Sequence, residues 1–149
     1  MDFAIRRLYP GDDRSITKLH RLHEQCFPNN GAPKIKKQEI KDGWWWLAEN
    51  DSGRVVGFAG MMPAASNKGF CYLSRVGVHP KFRGHGLQKK LIRVRERTAK
   101  RDGYRGCVTD AVTYNSPSAN SLIAEGYKVF NPKTKWGLSQ SIYFRKVFE

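Results

Sequence analysis

Three runs rich in aromatic and β-branched residues follow one another between Gly43 and Val78: GWWWLAEN, GRVVGFAGMM and GFCYLSRVGV. Only the turn-forming segments DSG and PAASNKG separate them. The pattern predicts three consecutive strands, most simply an antiparallel meander. Alternation sends Trp44 and Trp46 to one face and Trp45 to the other, so at least one face belongs to a core. The functional alternative is an exposed tryptophan that stacks on a substrate ring or a nucleobase.

The rest of the chain must supply what covers that sheet. FAIRRLY reads as a short opening strand, and PGDD turns it into a helix with Ile16, Leu19, His23 and Cys26 at helical spacing. Asp12 or Asp13 is the expected cap. CFPNNGAPK ends this helix, and the lysine-rich stretch beyond is a short second helix or an irregular loop. After the meander, Leu87, Leu91, Val94 and Thr98 form a helical stripe that stops at RDGY. GCVTDAVTY is a further strand, SPSANSLIAEGY a short helix ending at Gly126, and SQSIYFRKVF a last strand. The order βα(α)βββαβαβ predicts an α/β or α+β sandwich, with helices against a mixed sheet. A length of 149 residues without a dividing linker predicts one domain over 1–149.

Hydrophobic residues at 40% and aromatic residues at 12% exclude a disordered chain. No apolar run is long enough to span a bilayer, so no membrane partner is expected. MDFAIRRLYPGDD holds no apolar stretch of signal-peptide length, which predicts a cytoplasmic location. Cys26, Cys71 and Cys107 are odd in number and set among apolar neighbours, which favours buried, reduced thiols. His20 and His23 stand three apart, but no Cys, His or carboxylate set completes a metal site. The net charge of +14 predicts attraction to polyanions or to an anionic ligand. Lys89, Lys90, Arg93, Arg95, Arg97, Lys100 and Arg101 concentrate that charge against only Glu96 and Asp102.

The segment VGVHPKFRGHGLQKKL joins the third strand of the meander to the basic helix. Amides at a helix N-terminus are unpaired donors, and the helix dipole favours negative charge there. Gly84 and Gly86 permit positive φ and remove side chains that would keep an oxygen away, while Arg83 and Lys89 add charge. An anion site and a plain turn are both open on these residues alone. Neither the Walker-type loop nor the three-glycine dinucleotide fingerprint is present.

Arg83-Gly84-His85-Gly86-Leu87-Gln88, preceded by VGVHP and followed by an amphipathic helix, resembles the acetyl-CoA-binding segment of the GNAT N-acetyltransferase superfamily. Downstream, NSPSANSLIAEGY is similar to that family's Asn-x-x-Ala/Ser helix ending in Gly-Phe/Tyr, with Asn115, Ser118, Gly126 and Tyr127 at the expected intervals. The resemblance covers Trp44 to Tyr127 well and the N-terminal start more loosely. It implies a GNAT-like mixed, mostly antiparallel sheet flanked by helices, with a splayed strand pair forming the CoA cleft. It implies acetyl-CoA as cosubstrate, its pyrophosphate on the amides around Arg83, Gly84, His85, Gly86, Leu87, Gln88 and Lys89. Main-chain groups of Val76, Gly77 and Val78 would meet the pantetheine arm, and an amide near Val78 would polarise the acetyl carbonyl. Asn115 and Ser118 would line the pantetheine side, although Asn115 can equally cap its helix.

Three departures stand out. Gln88 occupies a position where the family usually has Gly or Ala, and Leu122 stands where many members carry a proton-donating tyrosine; Tyr114 is the nearest substitute. The strand GFCYLSRVGV lacks the glutamate that several relatives place there. Asp110 is then the candidate base, with a structural hydrogen-bonding role as its alternative, and Tyr72 and Ser74 are candidates to guide water. The implied reaction is direct acetyl transfer to a primary amine of a small molecule or protein. The alternative is a basic nucleic-acid-binding module on the same fold with weak or lost catalysis, and between them lies an acetyltransferase whose acceptor is anionic or nucleic-acid-associated. Acceptor specificity would reside in the loops from Pro28 to Lys41 and from Asn131 to Ser139.

Overall fold

The computed structural model describes residues 2–29, 31–112 and 115–149, and only the backbone of Ser116. In chain order the elements are β1 (Ala4–Leu8), α1 (Asp13–Cys26), α2 (Lys37–Lys41), β2 (Trp44–Glu49), β3 (Val55–Pro63) and β4 (Phe70–Val78). After a single 3₁₀ turn at Pro80–Phe82 come α3 (Leu87–Arg101), β5 (Gly106–Val112), α4 (Ser116–Ala124), β6 (Lys128–Val129) and β7 (Ser141–Val147). The chain falls into two compact units, Met1–Met62 with Ser74–Leu91, and Pro63–Leu73 with Ile92–Glu149.

In the first unit the strands lie in the order β1-β2-β3-β4, and β1–β2 and β2–β3 are antiparallel. One face packs on α1 and α2: Leu8, Leu47, Val55, Phe58 and Trp45 join Ile16, Leu19, Leu22, Cys26, Ile35 and Ile40 in one buried cluster. The alternate residues Ala48, Val56 and Ala59 pack with Leu87 and Leu91 on the other face, together with Val76, Val78 and Phe82. Because both faces are covered, β3 is buried continuously from Val55 to Met61 rather than alternating. Asp12 caps α1, its carboxylate accepting from the Ser15 amide at 3.1 Å and the Ser15 hydroxyl at 2.6 Å. Trp45 stacks near Phe58 and donates its indole N–H to the Glu39 carbonyl, 3.0 Å away, while Trp46 is covered by the Arg7 guanidinium. Trp45 and Trp46 are both core residues, and Trp44 is half-buried.

In the second unit the order is β4-β5-β7-β6. The β4–β5 ladder is parallel and pairs Phe70, Cys71 and Tyr72 with Gly106, Cys107 and Val108, while β5 pairs with β7 antiparallel over seven residues. The sheet is thus mixed and mostly antiparallel, with helices against it, as the order of elements predicts. The two-residue β6 is an addition that the sequence pattern does not reveal.

The basic helix differs from expectation. Leu87, Leu91 and Thr98 are buried and Val94 is half-buried, as the stripe predicts, but Arg95 and Glu96 also turn inward, at 2% and 5% exposure. Arg95 therefore leaves the surface charge cluster to which its sequence neighbours belong. Burial pulls its pKa down to about 10, against the opposing influence of Tyr127, Cys107 and Glu96, so it stays cationic at neutral pH. Glu96 accepts from Lys146 Nζ at 3.1 Å, and Lys146 also donates to the Glu125 carbonyl at 2.8 Å. The buried acid is held by a lysine fifty residues downstream.

Candidate active site

The first unit holds the strand-to-helix turn. β4 ends at Val78, and His79 caps the 3₁₀ turn by accepting from the Lys81 amide at Nδ1, 3.1 Å away. His79 is 7% exposed, its backbone N–H reaches the Val56 carbonyl at 2.8 Å, and Arg54 Nη2 lies 3.1 Å from its Nε2. Burial, followed by the charge of Arg54, holds the imidazole below its ordinary pKa. Arg83 then folds its guanidinium back, Nε donating to the Val78 carbonyl at 3.1 Å. This carbonyl contact and the histidine cap fix where the strand stops, and neither is legible in the local sequence.

Gly84 and Gly86 follow at φ +83° and +77°. Beyond the adjacent residues, no heavy atom lies within 4 Å of where a Cβ would stand at either position. The two glycines thus leave open space immediately before the first turn of α3, where helix amides lack carbonyl partners. Arg83, His85 and Lys89 are exposed around it, Gln88 is half-buried, and Leu87 is buried against the sheet. The arrangement fits a pyrophosphate: backbone donors, an unobstructed approach, and two formal positive charges.

Gly77 has a different reason to be glycine. A Cβ there would stand 2.4 Å from Phe58 Cε1 and 3.2 Å from Cys26 Sγ. Its missing side chain lets β4 lie close over the core beneath, while Val76 and Val78 project to the α3 face.

The second unit holds Asp110. Tyr72 Oη donates to its Oδ1 at 3.1 Å, Trp136 Nε1 donates to the same oxygen at 2.9 Å, and Ser141 Oγ donates to Oδ2 at 3.3 Å. Trp136 is enclosed edge-on by Tyr143 at 4.7 Å and Tyr72 at 6.0 Å. Gly137 passes so close that a Cβ would meet Asp110 Oδ2 at 2.7 Å, and its N–H donates to the Tyr143 hydroxyl at 2.9 Å. Asp110 is a half-buried carboxylate with three side-chain donors, which makes it first an organiser of Tyr72, Trp136 and Ser141. Trp136 and Tyr143 do not stand out in the sequence; the only available signal is a lone tryptophan in the basic loop NPKTKWGLSQS.

The remaining candidates can be located directly. Ser74 is half-buried in β4. Asn115 caps α4, its Oδ1 accepting from the Ser118 amide at 3.3 Å. Leu122 is 5% exposed, and Tyr127 is 2% exposed with its pKa pushed far up by burial. Tyr114 lies outside the described residues. All three cysteines are free and buried; burial pushes Cys26 up to about 11 and Cys71 and Cys107 up to about 12. Among the described residues no group of three or more His, Cys, Asp or Glu side chains is arranged to hold a metal ion.

Residues 16–124 match the family model described as Acetyltransferase (GNAT) family. No curated protein sequence matches the chain. Among solved structures, the PaiA N-acetyltransferase of Thermoplasma acidophilum in complex with coenzyme A superposes with a TM-score of 0.74 at 18% identity, covering 99% of this chain and 100% of that one. A GNAT-family acetyltransferase from Staphylococcus aureus gives a TM-score of 0.78 at 13% identity, with 99% and 100% covered. Arabidopsis thaliana NAA60 in complex with acetyl-CoA gives 0.73 at 17% identity, with 98% of both chains covered. At these identities the likeness establishes a shared fold.

Proposed function

The chain belongs to the acetyltransferase (GNAT) family, and on that premise we propose that it transfers the acetyl group of acetyl-CoA directly to a primary amine. The observation that carries this reading is the open space at Gly84 and Gly86, two positive-φ glycines at the entry to a helix with no atom where their side chains would be. Acetyl-CoA supplies the acyl group already activated as a thioester. Its pyrophosphate is assigned to the main chain of Gly84, His85, Gly86, Leu87, Gln88 and Lys89, with the charges of Arg83 and Lys89 beside it. Val76, Gly77 and Val78 offer main-chain groups to the pantetheine arm in the manner of an added strand. The Val78 amide is assigned to the acetyl oxygen, where negative charge develops.

Transfer without an acyl-enzyme is supported by the state of the thiols. A thiolate is the nucleophile, and the three cysteines are buried with pKa values of about 11 to 12, so each is protonated at neutral pH. The acceptor amine must shed a proton before or during attack. Asp110 is assigned to that task through the groups it holds, the Tyr72 hydroxyl above all, with Ser74 as a further water-guiding hydroxyl. Leu122 offers no proton to the departing thiolate. Holding amine and thioester together contributes about 7–11 kcal/mol by itself, so the reaction does not require a strong acid and base.

The test is release of CoA thiol from acetyl-CoA across a panel of small amines, aminoglycosides, and peptides with free N-termini or lysines. At least one class is expected to drive release above the hydrolysis background. Background release across the whole panel, in protein that binds CoA, would overturn transfer while leaving the cofactor site standing.

A further inference from the structure

We propose that the outward face of α3 is a docking surface for the phosphate backbone of nucleic acid, separate from acetyl transfer. The helix LQKKLIRVRERTAKR carries seven Lys and Arg residues and one Glu. Glu96 and Arg95 turn inward at 5% and 2% exposure. Beyond the cofactor turn, the remaining cations Arg93, Arg97, Lys100 and Arg101 are all exposed. At 3.6 residues per turn they fall within a sector of about 100° and run for about 12 Å along the axis. That sector of the helix contains no acidic side chain.

This arrangement works against the helix that bears it. Arg93 and Arg97, and Arg97 and Arg101, are like charges four residues apart, and each such pair destabilises a helix by about 0.2–0.5 kcal/mol. A merely solvated face would interleave both signs. Here Arg93 has Glu125 beside it and Arg101 has its neighbour Asp102, the latter at 3.2 Å. Lys100 is set against an aromatic ring, 4.9 Å from the ring centre of Phe148. That ring supports the stem and keeps the charged end outward.

The chemistry selects among polyanions. A helix that lies on a lipid surface inserts apolar side chains beside its basic ones, and this sector has none. Its charges instead repeat about every 6 Å along a line, the i to i+4 step of a helix, which suits successive phosphates of one strand. No Asn or Gln stands in the sector to read base edges, so binding is independent of sequence and steeply dependent on salt.

The experiment is fluorescence anisotropy of a labelled single-stranded RNA between about 50 and 200 mM salt. The wild type is compared with the combined variant Arg97→Gln, Lys100→Gln, Arg101→Gln. Removing one phosphate-neutralising cation lowers affinity about fivefold at about 0.1 M salt, so the triple variant should bind roughly 100-fold more weakly, with a salt slope shallower by about two. Its CoA affinity, measured by calorimetry, should be unchanged, which separates this surface from the cofactor site. The proposal is overturned if the wild type does not bind the RNA, if the variant keeps the wild-type affinity and slope, or if these cations instead mediate binding to phosphatidylserine vesicles.

Discussion

Substituting alanine at the positive-φ glycines separates what those residues do for the backbone from what they do for a ligand. Gly84, Gly86 and Gly103 have φ of +83°, +77° and +86°, and a Cβ at each would meet no heavy atom within 4 Å beyond the adjacent residues. The cost of alanine is therefore the left-handed backbone alone, about 1–2 kcal/mol at each position. For a chain of this size that lowers the melting temperature by about 2–4 °C per kcal/mol, so three similar shifts are expected. CoA affinity should divide the set. At Gly86 or Gly84 the new methyl occupies the space assigned to a phosphate oxygen and displaces it from at least one amide. A hydrogen bond to a charged group contributes about 1.5–3 kcal/mol, so the dissociation constant should rise roughly 10- to 150-fold. Gly103→Ala, at the far end of α3, should leave it unchanged, and Gly86→Glu, which adds negative charge at the same point, should abolish binding with the fold retained. Thermal melts with calorimetric titration of CoA decide the matter. Equal loss of affinity in Gly103→Ala and Gly86→Ala would mean that the effect is one of stability, and full affinity in Gly86→Ala would move the phosphates elsewhere.

Asp110→Asn puts an amide against the Tyr72, Trp136 and Ser141 donors; it should lower turnover far more than CoA affinity and cost about 1–3 kcal/mol of stability. Thiol-release kinetics beside a urea melt check this, and unchanged turnover would confine Asp110 to a structural role. Gly77→Ala forces a methyl against Phe58 and Cys26 and should destabilise by about 1–3 kcal/mol in urea, where a neutral result would contradict the close packing under β4. His23 and His79 are both held below the ordinary imidazole pKa of 6.5, chiefly by burial. Below that value the unfolded chain takes up protons that the folded chain refuses, so their contribution to stability is complete above pH 6.5 and declines as pH falls, by up to about 1.4 kcal/mol per pH unit for each histidine. Urea melts between pH 7 and 5 should show the decline, and a flat profile would refute it.

Local signals in the chain are readable where the cause is local. The Asp12 cap depends on Ser15, three residues away, and the three consecutive strands follow from aromatic and β-branched runs divided by short turns. The Gly84–Gly86 turn is likewise written in adjacent residues, as are the family motifs around it. What stays hidden depends on distant partners. Arg95 and Glu96 read as surface charge because Lys146 and Tyr127, which accompany them inside, lie far along the chain. Trp136 reads as one aromatic residue in a basic loop until β5 and the loop before β7 bring it within 2.9 Å of Asp110. His79 looks like a spacer before a proline, and its capping role emerges only with the turn that it closes.

Acetyl transfer and the role of the Gly84–Gly86 turn both require a CoA site, which calorimetric titration of CoA into the wild-type chain measures. One CoA per chain is expected, with a dissociation constant on the order of 10 μM, or about −7 kcal/mol. Absence of binding heat up to about 1 mM CoA, where affinity would be weaker than about −4 kcal/mol, would contradict it.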